Sequence, residues 1–170
     1  MTHCGKTEKQ LQKIEDRFAL AVAGAQDGIW DWNLLDNSQY MSPRWKEMLG
    51  YSDEELPNNY SSFEGNLHPE DEARVLDNLK KYLNGEIDRY YVEFRMRHKN
   101  GSYRWILSRG AGIRDTKGKI CRMAGSHTDI TERKMQDDKI RMLSQVVEQS
   151  PVTVIITDPS GYIEYANPKF

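Results

Sequence analysis

Histidines, cysteines, paired carboxylates and glycine-rich loops are the parts from which metal, nucleophilic, acid–base and phosphate chemistry are built. In this chain they are scattered. The four histidines are His3, His68, His98 and His127, and the two cysteines are Cys4 and Cys121. No two of them sit at metal-ligand spacing, and His3-Cys4 could at most be an adventitious site. Two cysteines are too few for a disulfide framework and fit a reducing compartment. Asp53-Glu54-Glu55 and Glu70-Asp71 are adjacent carboxylates in first helical turns, where the macrodipole accounts for them without acid–base work. No Gly-x-Gly-x-x-Gly or Gly-Lys-Ser/Thr loop occurs. Gly110-Ala111-Gly112 falls in a strand pattern, where glycine marks close packing or a bulge. Arg95, Arg97, Lys99 and Arg104 read as a solvated strand face in preference to an anion site. With no nucleophile, metal cluster or phosphate loop, the chain is expected not to be an enzyme.

The bulk numbers narrow the field further. At 170 residues the chain can hold one well-cored domain plus a substantial extension, but not two domains of usual size. Twenty-four basic side chains against 26 acidic ones leave a net charge of -2, which offers no general attraction to nucleic acid or to an anionic membrane. Nowhere do 18 apolar residues follow one another, so no membrane contact is expected of this segment and a cytoplasmic setting fits best.

The elements follow from periodicity. From residue 8 to about 25, Leu11, Ile14, Phe18, Ala21, Val22 and Ala25 form one stripe of an amphipathic helix. Ile29-Trp30-Asp31-Trp32-Asn33 alternates, turns at Asp36-Asn37 and returns through Gln39-Tyr40-Met41, a hairpin. Ser42-Pro43 opens a short helix that buries Trp45, Met48 and Leu49 before Gly50. Ser52 and Glu55 form a capping box for another turn of helix closed by Pro57. His68-Pro69-Glu70-Asp71 starts a longer helix carrying Ala73, Leu76, Leu79 and Leu83 inward. Val92, Phe94 and Met96 then alternate with charged residues up to the Asn100-Gly101 turn, and two more strands follow, about 103 to 113 and 119 to 128. Residues 131 to about 149 are polar and helical, with Ile140, Leu143 and Val147 spaced like a short coiled-coil seam.

Displacing the chain by 125 positions pairs Phe18 with Leu143, Val22 with Val147, Ile29 with Val154, Tyr40 with Tyr165, Pro43 with Pro168 and Trp45 with Phe170, without a gap. A whole helix-hairpin-helix start recurs at a period too long for a solenoid. The second copy breaks off at Phe170, so either the natural protein continues or the sequence was cut there.

Six motifs stand in order: Gly28-Ile29-Trp30-Asp31-Trp32, Ser42-Pro43-Arg44-Trp45, Leu49-Gly50-Tyr51-Ser52, His68-Pro69-Glu70-Asp71, Gly101-Ser102-Tyr103-Arg104-Trp105 and Asp129-Ile130-Thr131-Glu132-Arg133-Lys134. This succession resembles PAS domains with their C-terminal PAC part, over residues 18 to 134 and again from 143 to 170. The resemblance implies an α+β fold, a five-stranded antiparallel sheet in the order 2-1-5-4-3 with short helices on one face and amphipathic helices at both ends. It divides the chain into an N-terminal helical cap (1–17), a PAS/PAC domain (18–130), a helical connector (131–149) and the truncated start of a second PAS domain (150–170). It further implies a sensory input and dimerisation module of a larger signalling protein, such as a histidine kinase or diguanylate cyclase, with the effector in the same chain.

On that fold the expected pocket is lined by Trp30, Trp32, Met41, Trp45, Met48, Phe94, Met96 and Met123, which could hold a small molecule or simply pack a core. The opposite sheet face would carry Tyr103, Trp105 and Leu107, too apolar to be left wet. A second copy with Phe18 and these residues at a homodimer contact, or the N-terminal helix alone, would cover it. Asp129 and Thr131 would couple the last strand to the connector helix as its cap and signal relay. No cofactor is indicated. Flavin-binding light sensors of this fold carry a reactive cysteine that residues 45 to 66 lack, and His127 is the one strand histidine that could face a haem iron. The alternative function is a protein-interaction scaffold with a filled core and no ligand.

Overall fold

The computed structural model describes residues 3–170, with the side chains of all but 3–8 and 11. The side chains of His3, Cys4 and Leu11 therefore lie outside the described residues. Two compact units form, one up to Ile130 and one from Thr131 to Phe170.

In the first unit, helix α1 (His3–Ala25) leads into five strands: β1 (Gly28–Asn33), β2 (Gln39–Met41), β3 (Tyr90–Arg97), β4 (Tyr103–Arg114) and β5 (Ile120–Asp129). They make one antiparallel sheet in the order β2-β1-β5-β4-β3, as the fold class required. Both hairpin signals hold: Asn37 adopts φ 60 in the first turn and Gly101 φ 88 in the second. Strand register sets the faces. Tyr90, Val92, Phe94 and Met96 of β3 point inward with Ile106 and Ser108 of β4, which sit opposite Phe94 and Val92.

Three helices cover that inner face: α2 (Pro43–Met48), α3 (Tyr60–Glu64) and α4 (Pro69–Asn84). Ser42 caps α2 and also ties it to the sheet. Its hydroxyl accepts from the amides of Trp45 and Ile29, and its own amide donates to the Ile29 carbonyl at 2.8 Å. Helix α4 starts at Pro69 behind His68 and ends at Gly85, which takes the left-handed conformation.

Four local expectations need correction. Helix α1 begins at His3, five residues earlier than the apolar stripe suggested, because backbone hydrogen bonding can continue a helix beyond the residues that carry its apolar face. One half of the Ser52 capping box forms, the Ser52 amide donating to Glu55 at 2.9 Å, yet 52–56 remain a turn because Pro57 halts the backbone before a helix can propagate. Helix α3 instead starts after Asn59, whose side chain accepts from the Ser62 amide. Finally, Ala73 of α4 is exposed, and Val75, Leu79 and Tyr82 face inward.

The rotation of α4 has an electrostatic cause. Asp71, in its first turn, is buried and accepts from the Arg95 backbone amide and Nε, both at 2.9 Å, which fixes the helix start against β3. Burial alone would push the Asp71 carboxyl up, but the Arg95 and Arg74 bonds and charges outweigh it and hold the group at about 2. A carboxyl depressed on folding contributes stability above its unfolded value, near pH 4, and that contribution disappears as pH falls through about 2. Asp71→Asn should therefore be less stable at neutral pH and lose less stability than the parent between about pH 4 and 2. Urea midpoints at several pH values test this, and parallel curves would refute it.

The second unit holds α5 (Thr131–Glu148) and a two-stranded hairpin, β6 (Ile155–Thr157) with β7 (Ile163–Ala166). The 125-residue repeat is visible in its hydrogen bonds. Asn167, the counterpart of Ser42, accepts from the Val154 amide at 2.9 Å and donates its own amide to the Val154 carbonyl at 3.0 Å. Val154 is the counterpart of Ile29, so the same clamp closes both hairpins.

Candidate functional site

A cavity of about 50 Å³ lies between the inner sheet face and the helices, against β1, β2, α2, α3, Leu79 of α4, the start of β3, the middle of β4 and the end of β5. Of the eight residues expected there, Trp30, Trp32, Met41 and Trp45 line it. Met48, Phe94, Met96 and Met123 are buried in the surrounding core and do not reach the wall. The wall also includes Tyr60, Phe63, Tyr90, Ser108 and His127, which the sequence reading did not place there.

His127 is the centre of this site. It sits opposite Gly28 on β1 and Ser108 on β4, fully enclosed by the rings of Trp30, Trp45, Phe63 and Phe94 at 5.5 to 6.1 Å. Its Nδ1 accepts from Trp45 Nε1 at 2.7 Å. Burial pulls its pKa down to about 3, so the ring is neutral at physiological pH. A neutral imidazole that accepts at Nδ1 carries its proton on Nε2 and is a donor there. A signal for this residue was present: a lone histidine in an alternating strand, on the inward register.

On the sheet side, the Trp30 indole that lines the cavity rests on bare backbone. A Cβ on Gly110 would fall 2.6 Å from Trp30 Cη2, and one on Gly125 would fall 2.5 Å from Trp30 Cζ2. These two glycines face each other across β4 and β5 and let the Trp30 indole lie flat on the sheet. Gly110 is thus a close-packing glycine, and the register shift of β4 lies further on, between Ile113 and Arg114.

Two polar atoms here are buried and have no hydrogen-bond partner: Trp30 Nε1 and Ser108 Oγ. Burial raises the Tyr90 hydroxyl to about 12, and the neighbouring Ser108 hydroxyl tempers that rise without completing a well-aligned bond. The aromatic cage is otherwise well paired, Trp30 meeting Tyr90 edge-on at 6.0 Å and Trp32 stacking near Tyr60 at 5.3 Å.

On the opposite sheet face, Tyr103, Trp105 and Leu107 point away from the helices, as the alternation required, with Tyr103 exposed, Trp105 half-buried and Leu107 buried. Tyr103 packs on the His68 ring at 4.4 Å, Arg95 lies over Trp105 at 5.5 Å, and Leu107 is buried. Helix α1 does not supply that cover through its apolar stripe: Ile14 and Phe18 stay exposed, Phe18 by 63%. Just past the end of the helix the chain is tied to the sheet. The Asp27 carboxylate accepts from the Thr128 hydroxyl at 2.7 Å, and Arg109 donates to the same hydroxyl.

At the exit, Asp129 is exposed at the end of β5, opposite Ile106, and Thr131 is buried at the first position of α5. The Ile130 amide donates to the Trp105 carbonyl at 2.8 Å, so the sheet ladder runs up to the residue before the helix. Among the described residues no three metal-ligating side chains converge, and no helix is long and apolar enough to cross a membrane.

A curled antiparallel sheet gripping short helices over a small lined cavity, with a helix leaving its central strand, is the architecture of a sensory module. Comparison with known proteins agrees: a family model described as the PAS fold matches residues 39–127, and one described as a PAS domain matches residues 141–170. The chain belongs to the PAS family. An uncharacterised protein of Sinorhizobium fredii is 30% identical over 172 residues, taking in 97% of this chain and 20% of that protein. A probable diguanylate cyclase of Escherichia coli strain K12 is 31% identical over 144 residues, 84% of this chain and 12% of the cyclase. The chain thus spans a fifth or less of these two relatives. Among solved structures, a sensory box histidine kinase/response regulator from Burkholderia thailandensis E264 superposes with a TM-score of 0.67 at 43% identity, over 76% of this chain and 95% of that one.

Proposed function

We propose that residues 18–130 are the input domain of a larger cytoplasmic signalling protein, sensing through the cavity around His127 and passing the result to α5. The carrying observation is the unbroken ladder from the cavity wall to the helix: β5 bears His127 on its inner face, and Ile130 makes the last sheet bond immediately before Thr131. A change in strand position at the cavity then tilts the helix start. Asp129 and Thr131 stand at that junction as cap and relay, and residues 131–149 form the connector. The stretch 150–170 opens a second PAS domain, a reading supported by the repeated Asn167–Val154 clamp and by the match over 141–170. The effector, a histidine kinase or a cyclase as in the relatives' names, follows in the same polypeptide.

In a full-length parent, Asp129→Ala should reduce the difference in effector output between stimulated and resting states by about fivefold, the effect of weakening one cap by about 1 kcal/mol. Full regulation in that variant would remove Asp129 from the relay.

The homodimer reading now rests on α1, whose Ile14 and Phe18 are exposed among the described residues. Sedimentation at tens of micromolar should give the mass of two chains, and Phe18→Glu should give one; a monomeric parent would end this reading. The alternative, a scaffold with a filled core, is favoured by the small volume of the cavity.

A further inference from the structure

The cavity carries an imbalance of hydrogen-bonding groups that specifies what it can hold. Trp30 Nε1 is a donor only, buried and unpaired. Ser108 Oγ is buried and unpaired in the same wall, on a residue with 0% exposure. His127, its Nδ1 engaged by Trp45, has a donor left at Nε2. A buried polar group without a partner costs free energy, and native structures seldom leave two in the wall of one cavity unless something fills the space they share. The lining carries no cation: its one charged residue, Asp31, is held by Arg122 Nε and Nη2 at 2.8 to 3.1 Å. An anion would therefore enter without a counter-charge, and a cation would find the one carboxylate of the wall already engaged by Arg122. The surrounding rings favour a flat molecule.

We propose that the cavity binds a compact, neutral carbonyl compound, a small ketone or amide, whose oxygen accepts from Trp30, Ser108 and His127 together. This rests on the reading of the cavity as the sensing site and adds the chemistry of what is sensed. One carbonyl oxygen with two lone pairs serves two donors well and shares a third. The cavity volume of about 50 Å³ admits roughly three to five non-hydrogen atoms, since one water takes about 10–15 Å³ on the same measure. Acetone and acetamide are of that size.

The test follows the indole N–H resonances of the four tryptophans in the ¹⁵N-labelled full chain. Acetone should shift the Trp30 signal saturably, and Ser108→Ala should weaken that binding about fivefold through one lost hydrogen bond. Acetate and isopropylammonium, matched in shape but charged, should leave the signal unmoved at the same concentrations. Either ion binding as well as acetone, or Ser108→Ala binding acetone unchanged, would overturn the assignment of ligand class. Xenon separates the two levels of failure. If xenon shifts the cavity resonances while acetone does not, the space is real and the carbonyl class is wrong. If neither enters, the core is filled and the ligand-sensing reading fails with it.

Discussion

Trp45→Ala is expected to lower the unfolding free energy by about 3–5 kcal/mol, the usual loss for emptying a fully buried tryptophan site. Trp45 is 1% exposed and lies at the joint of three elements. It sits in α2 just after the Ser42 cap, its Cα and Cβ lie against Gly28 of β1, and its Nε1 donates to His127 of β5. Truncation would remove the packing of α2 and leave His127 Nδ1 buried without a donor. A melting temperature lower by about 10 to 20 °C is the readout. Trp45→Phe separates the two contributions, since it retains most of the ring but unpairs Nδ1, and should cost about 1–3 kcal/mol. A change of only a few degrees for the alanine variant would show that α2 is not a principal fastening of the helices to the sheet.

Gly125→Ala should be nearly as damaging although it adds one methyl group. The new Cβ would overlap the Arg109 carbonyl oxygen, a ladder group of the neighbouring strand, and would press on Trp30 Cζ2 at 2.5 Å. Backbone on one side and a large ring on the other cannot both yield, so the cost should reach about 3 kcal/mol, the upper part of the range for overpacking. Gly24→Ala is the matched control. It lies in α1, a Cβ there meets nothing within 4 Å, and alanine is the better helix former, so stability should hold or rise by up to about 1 kcal/mol. Denaturant midpoints of the two variants should move apart; equal midpoints would refute the close packing beneath Trp30.

The strands and both hairpins were legible because the signals are local: alternation, Asn100-Gly101, and proline behind a cap residue; the spatial order of the strands came only from the resemblance to PAS domains. The helix faces were less so. Apolar spacing alone placed Ala73 inward, whereas the contact of Asp71 with Arg95, 24 residues away in sequence, turns α4 to present Val75, Leu79 and Tyr82. Helix α3 was missed because five residues cannot display a 3.6-residue period. The cavity was half legible for a related reason. Large apolar residues near β1 and α2 suggested a wall, and Gly110 was legible as a close-packing or bulge glycine, but what it packs against, and the inward place of Ser108, emerge only when three strands are laid side by side. His127 was noticed as a strand histidine, yet its neutrality comes from burial in the assembled core and its tautomer from Trp45, 82 positions earlier.

The two copies of the hairpin clamp differ in one functional group, and the difference changes the mechanics of the joint. Ser42 has a single hydroxyl, whereas Asn167 also has an amide nitrogen, which donates to the carbonyls of Val147 and Val152 at 3.2 and 2.9 Å. The second hairpin is thereby pinned to the tail of its preceding helix, while the first leaves that hinge to the Arg44 side chain and the Gln26 carbonyl. A long exposed arginine gives under torsion more readily than a short enclosed amide. Rotation arriving along α1 would be partly absorbed where it meets the first hairpin, and rotation along α5 would pass to the second hairpin with little slack.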